Sequence, residues 1–165
     1  MQYDAIFRKF NELGIEYIVV GGLAVNFQGV PRLTYDIDLL IYFSQENVKR
    51  LLKQLLEWGY KPKIPVNPFD FADEEIRNKW IKEKNMKAFN FFNEKLPIAE
   101  IDIIIDSPVN YSQAKKDTVK IKLYDLEIPV ISIPDLIKMK EFYGRKQDLT
   151  DIEHLKRIKS HEKKK

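Results

Sequence analysis

The stretch YIVVGGLAVNFQGVPRLTYDIDLLIY, Tyr17 to Tyr42, decides how this chain folds. Ile15 to Val20 reads as a strand that Gly21 and Gly22 end abruptly. Leu23 to Phe27 then reads as a short helix, before Gly29 and Pro31 turn the chain back. Tyr35 to Tyr42 is a second strand, rich in Ile and Leu and interrupted only by Asp36 and Asp38. Because side chains alternate along a strand, both carboxylates leave the same face. Two like charges on a half-buried strand raise each other's pKa, and a shared hard divalent cation, which takes oxygen ligands, removes that cost. For an isolated Asp-x-Asp, the plain alternative is a pair of surface acids at a strand end.

Upstream, Tyr3, Ile6, Phe7, Phe10 and Leu13 recur at helical spacing, and Gly14 stands where a helix ends. Downstream, Ser44 caps a helix with Val48, Leu51, Leu52 and Leu55 on its core face, closed by Gly59. Three prolines between Tyr60 and Pro68 leave a loop or an edge strand. Asp70 to Lys84 reads as one helix and Phe89 to Phe92 as a strand; Ile98 to Ile105 is a clear strand with Glu100, Asp102 and Ile104 on one face. After a helical turn at Val109 to Lys115, the run Thr118 to Ser132 splits at Tyr124 to Glu127 into a hairpin. Ser132 and Asp135 open a helix through Phe142, Gly144 breaks it, and Asp148 is expected to cap a last helix carrying Leu149, Ile152, Leu155 and Ile158. The expected fold class is α/β (α+β), a mixed β-sheet core flanked by helices, with helices closing the C-terminus.

The length of 165 residues and 44% hydrophobic content suit a single domain over residues 1–165. A chain of this size buries roughly 70% of its unfolded surface, so it needs no disulfide or structural metal. The absence of cysteine excludes thiol catalysis and zinc–cysteine clusters. Neither a membrane span nor a signal peptide is readable, which makes the cytoplasm the expected location. Net charge is +3, but residues 156–165 hold six basic side chains against Glu162, so this Lys-rich tail is +5 and the rest −2. Its plain reading is a frayed, solvated helix end; its functional reading is a contact for RNA. His154 and His161 have no partner at zinc-ligand spacing, and no Walker loop is present.

Three further features bear on the acid pair. Gly21 and Gly22 join a strand to a short helix, a geometry whose backbone N–H groups can hold phosphate. Thirteen residues separate Gly22 from Asp36, enough to bring that turn alongside the carboxylate strand. Asp102, between Ile101 and Ile103, offers a third acid on another strand, and three carboxylates over two strands suit two Mg²⁺ ions bridging a triphosphate and an acceptor hydroxyl.

Val20-Gly21-Gly22, the spacer, and Asp36-Ile37-Asp38-Leu39 together resemble the signature of the DNA polymerase β-type nucleotidyltransferase superfamily. The run from Gly21 through Gly29, Arg32 and Thr34 to Asp38 is similar to small nucleotidyltransferases related to abortive-infection, type IV toxin–antitoxin toxins. The closing segment Lys140, Gly144-Arg145, Asp148, Asp151 resembles theirs as well. Residues 60–96 match no part of that pattern.

The resemblance implies Mg²⁺-dependent transfer of a nucleotidyl group from an NTP to a hydroxyl of RNA (a tRNA among them), a protein or a small molecule, with Mn²⁺ as a substitute metal and an antitoxin as partner. It implies Asp36 and Asp38 as metal ligands, with Asp102 as the third carboxylate and Glu100 as its rival. Gly21 and Gly22 would receive the triphosphate. Where relatives carry Ser at the second position this chain has Gly22, so a hydroxyl contact is missing. Arg32 and Thr34 would touch the γ-phosphate or else fix the turn. Lys140 would contact phosphate or acceptor, against a plain reading as a solvated helix lysine. A degenerate, non-catalytic nucleotide- or partner-binding module of the same fold is the rival reading.

Overall fold

A computed structural model describes residues 3–96 and 99–164. In chain order the elements are α1 (Tyr3–Glu12), β1 (Tyr17–Val20), α2 (Gly21–Phe27), β2 (Ile37–Ile41), α3 (Gln45–Glu57), β3 (Lys61–Pro62), α4 (Glu74–Lys84), β4 (Ala88–Phe92), β5 (Ile101–Ile104), α5 (Tyr111–Lys115), β6 (Val119–Leu123), β7 (Leu126–Val130), α6 (Ile133–Tyr143) and α7 (Lys146–Glu162). The seven strands form one mixed sheet in the order β3-β4-β5-β2-β1-β7-β6. β2 runs parallel to β5 and β1 parallel to β7, whereas β1 and β2 are antiparallel. The expected α/β class, with a mixed sheet flanked by helices, is what the chain adopts. No helix among the described residues is long and apolar enough to cross a membrane.

Central strands β1 and β2 are apolar nearly throughout because helices cover the sheet, with α2 lying against both strands and α5 against β1. β2 starts at Ile37, later than the Tyr35 the sequence predicts. Its partner β1 ends at Val20, opposite Asp38, and turns at once into α2, so residues before 37 have no strand to pair with on that side. Asp36 therefore lies just outside the ladder. β1 likewise begins at Tyr17, and β5 covers only Ile101–Ile104; Ile98, the expected strand start, lies outside the described residues.

Two helix expectations are corrected. Asp70–Lys84 is not one helix, because a 3-10 turn over Pro68–Ala72 comes first and Asp73 then caps α4 by accepting from the N–H groups of Glu75 and Ile76. Asp148 does not cap α7 from outside; it sits in the first turn and accepts from the Arg145 N–H at 3.1 Å. The buried stripe of α7 is Asp148, Asp151, Ile152 and Leu155, and Leu149 points outward at 58% exposure. Pairing of those two acids with Lys140 fixes that rotation. α7 extends through the first part of the Lys-rich segment to Glu162, and a Cβ built on Gly29 would lie 3.6 Å from Ile158 Cδ1.

Most aromatic residues of the middle segment are core: Tyr60, Phe71, Phe89 and Phe91 are essentially inaccessible, and Phe71, Trp80 and Phe89 pack ring against ring. A buried polar clip joins helix to sheet. Asn47 accepts from the Glu16 N–H at 2.8 Å and donates to the carbonyls of Glu16 and Tyr42 at 3.0 and 2.8 Å. Asn47→Ala leaves the Glu16 N–H and the Tyr42 carbonyl without this partner, while the Glu16 carbonyl keeps the Tyr42 N–H at 3.2 Å, so chemical denaturation should show a loss of roughly 1–3 kcal/mol. A loss below about 0.5 kcal/mol would show that the clip adds nothing to stability.

Candidate active site

Strand register builds the site. Asp38 on β2 lies opposite Val20 on one side and Asp102 of β5 on the other, and Asp102 in turn lies opposite Asn90 of β4. In-register neighbours share a face, so the two carboxylates stand side by side with Asp36 beside them. Asn90 donates to Asp102 Oδ1 at 2.7 Å. Asp36 and Asp38 accept no hydrogen bond from any described residue.

At the end of β1 the chain turns through Gly21 with φ +66°, and a Cβ built there would lie 2.0 Å from Asp38 Oδ2. The Asp38 carboxylate is thus laid directly on the Gly21 backbone, a position that only glycine leaves open. Burial pushes its pKa up to about 7, and the charges of Asp102 and Asp36 add to that, while Lys140 and Arg145 oppose it. Asp102 is also raised, mainly by burial, against the hydrogen bond from Asn90. Burial raises Asp36 too, with Glu100 adding and Lys63 opposing.

Lys140 of α6 faces this group from behind and is only 3% exposed, which rules out the solvated reading. Its Nζ lies 2.9 Å from Asp151 Oδ2 and 3.3 Å from Asp148 Oδ1. Arg32 ion-pairs with the same Asp151, and Arg145 Nε donates to Asp148 at 2.8 Å. Burial drives Asp148 upward, but the Arg145 hydrogen bond and the Lys140 charge outweigh it and hold this carboxyl below its ordinary value. Gly21, Asp38, Lys140, Tyr143, Arg145 and Asp148 line one cavity of about 40 Å³. The structure therefore gathers Gly21, Asp36, Asp38, Asp102 and Lys140, and it sets Gly22, Arg32 and Thr34 together beside them.

Glu100 is engaged by Lys63 at 2.6 Å and Asp106 by Lys87 at 2.6 Å, so Asp102 is the acid of this strand in register with Asp38. Asn90 and Lys63 were not singled out from the sequence. A polar residue between Phe89 and Phe91 in an alternating strand was the available signal for Asn90. Lys63 had none, being one lysine of a proline-rich loop.

Among the described residues, no three acidic or histidine side chains close on one point as a metal cage. Magnesium commonly takes one or two carboxylates and completes its shell with substrate phosphate oxygens and water. Two unbonded carboxylates with a third in register, held close enough to repel, fit that kind of open oxygen donor set.

Two outcomes follow from these charges. Asp38 holds its proton to higher pH folded than unfolded, so its contribution to stability is intact below about pH 4 and lost as pH rises through about 7. In chelator-containing buffer, Asp38→Asn should raise stability by roughly 2–4 kcal/mol at pH 8, with the gain shrinking towards pH 4; a gain independent of pH would contradict the burial of this charge. Asp151→Ala strands Arg32 and weakens the hold on Lys140, so it should cost about 3–5 kcal/mol by urea titration, whereas breaking the exposed Lys9–Glu12 pair should cost under about 1 kcal/mol.

The sequence model of a family described as nucleotidyl transferase AbiEii toxin, type IV toxin–antitoxin system, matches residues 4–164. No curated protein matches the chain. Among solved structures, the lincosamide antibiotic adenylyltransferase LnuA with lincomycin bound is similar, at 19% identity, 93% coverage of this chain, 94% of that one and a TM-score of 0.62. An antigenic nucleotidyltransferase-like protein from Paracoccidioides brasiliensis is similar at 17% identity, 92% and 72% coverage and a TM-score of 0.50. At such identities these two likenesses speak for the fold alone. Since the family match runs from the first helix into the end of the last, the chain belongs to the AbiEii nucleotidyltransferase toxin family of type IV toxin–antitoxin systems, and nucleotidyl transfer is its chemistry.

Proposed function

We propose that the protein transfers a nucleoside monophosphate from an NTP to an acceptor hydroxyl, with Mg²⁺, or Mn²⁺ in its place, held by Asp36, Asp38 and Asp102. The observation that carries this reading is the Asp38 carboxylate, unbonded, laid on Gly21 and in register with Asp102. When bound, two such ions would supply Lewis-acid polarisation of the phosphoryl oxygens and a lower pKa for the attacking hydroxyl.

The chain's own part is positioning and electrostatics. Gly21 and Gly22 leave room for a phosphate chain to approach the backbone beside the carboxylates. Asp102, steadied by Asn90, accepts the acceptor's proton or orients its hydroxyl. Lys140 and Arg145 place positive charge behind Asp38, which favours its ionised form at neutral pH. Arg32 and Thr34 border Gly22 as phosphate contacts.

The acceptor is a hydroxyl of an RNA such as tRNA, of a protein, or of a small molecule. One fold neighbour is a lincosamide antibiotic adenylyltransferase with lincomycin bound, which supports keeping a small molecule among the acceptors. The family context adds an antitoxin that opposes the activity.

Isothermal titration with each non-hydrolysable NTP, with and without Mg²⁺, tests the site. Wild type should bind at least one nucleotide in a metal-dependent way, and the Asp36→Ala, Asp38→Ala variant should lose that binding while staying folded. Label transfer from that NTP to total tRNA, protein or small molecules then identifies the acceptor, and Asp102→Asn should lower it by about 100-fold or more. Metal-dependent binding that survives in the folded double variant would sink the reading.

A further inference from the structure

Gly22 is buried, and the space where its side chain would stand is already taken. A Cβ built on Gly22 would lie 2.8 Å from Thr34 Oγ1 and 3.2 Å from both Cζ and Nη2 of Arg32. Real Cβ atoms essentially never come within 3.0 Å of a non-bonded heavy atom of a residue distant in the chain, so a side chain at position 22 and the Thr34 hydroxyl compete for one volume.

The two groups that fill it are polar and only partly committed. Thr34 is half-buried and its hydroxyl makes no hydrogen bond to a described residue. Arg32 spends Nη1 on the buried Asp151 and Nε on the Leu33 carbonyl at 3.4 Å, while Nη2 stays turned toward Gly22. The placement of this loop is itself secured, since the Arg32 N–H donates to Asn26 Oδ1 at 2.9 Å and Asp151 is anchored by Lys140. A hydroxyl and one guanidinium edge, both presented over a glycine beside three carboxylates, form a donor pair suited to a phosphate oxygen.

We infer that Thr34 Oγ1, reaching in from the 30–36 loop, provides the hydroxyl that the residue at position 22 lacks, so that positions 22 and 34 act as one hydroxyl site for the NTP phosphates, flanked by Arg32 Nη2. The inference rests on the proposed NTP-binding reading of this site and goes beyond it in making the two positions exchangeable. A serine at 22 then requires a small side chain at 34, and the reverse arrangement requires glycine at 22.

The test is the dissociation constant of the non-hydrolysable NTP that wild type binds, with Mg²⁺, measured by isothermal titration for Thr34→Ser, Thr34→Ala, Gly22→Ser and the Gly22→Ser, Thr34→Ala double variant. Thr34→Ser should bind like wild type and Thr34→Ala about tenfold more weakly, as expected for one lost hydrogen bond to a charged group. Gly22→Ser alone should also weaken binding, because its Cβ displaces Thr34. In the double variant, affinity should return to within about threefold of wild type. Thermal unfolding of each variant confirms the fold, and the Thr34 variants decide the matter even if Gly22→Ser does not fold. Thr34→Ala binding as tightly as wild type, or a folded double variant no tighter than Thr34→Ala, overturns the inference alone. Failure of folded wild type to bind any NTP overturns the functional reading and this inference with it.

Discussion

The Asp38 carboxylate lies on the backbone of Gly21, closer than any side chain at that position would allow. Much of the site follows from that contact. For it to exist, β1 must end opposite Asp38, the chain must leave the strand through a left-handed residue, and a helix must begin at once. The same turn delivers Gly22 to Arg32 and Thr34. A side chain at Gly21 therefore pushes against Asp38 and strains a left-handed backbone, and one at Gly22 pushes against Thr34 and Arg32.

A charge placed there is costly, and the rest of the structure moderates the cost without removing it. Asp38 is raised by its own burial and by Asp102 and Asp36, and lowered by Lys140 and Arg145. Those two cations are held in turn by Asp148 and, for Lys140, by Asp151, which also grips Arg32. One buried aspartate thus ties the last helix to the loop that carries Thr34. Such a network contributes little net stability compared with an apolar core, because the desolvation of each ion offsets much of the attraction. What it does accomplish is to fix the rotation of α7, so that Asp148 and Asp151 face inward and Leu149 faces out.

The middle of the chain has a part in the site as well as in the core. The Phe71, Trp80 and Phe89 cluster holds β4 in place, and β4 carries Asn90 to Asp102. The Lys63 N–H donates to the Asn90 carbonyl at 2.9 Å, and its ammonium engages Glu100. A segment that resembles no part of the nucleotidyltransferase signature thereby engages Glu100 in an ion pair and steadies Asp102, the acid of β5, beside Asp38.

The sequence by itself determined the elements whose signals are local. Glycine and proline punctuation, the apolar period of α3 and the alternation around Asp102 depend only on neighbours along the chain, so these elements were legible together with the acid pair and the glycine pair. Strand ends were less so, because β2 begins where β1 can first pair with it and not where Tyr35 suggests. The face of α7 was misjudged for a similar reason: periodicity counts Leu149 as core, but buried ion pairing with Lys140 on another helix turns the acids inward. Only the tertiary structure could decide the choice between Glu100 and Asp102 as the neighbour of Asp38. That choice lies in the register between two strands more than sixty residues apart, and register is set by long-range pairing that no local pattern encodes.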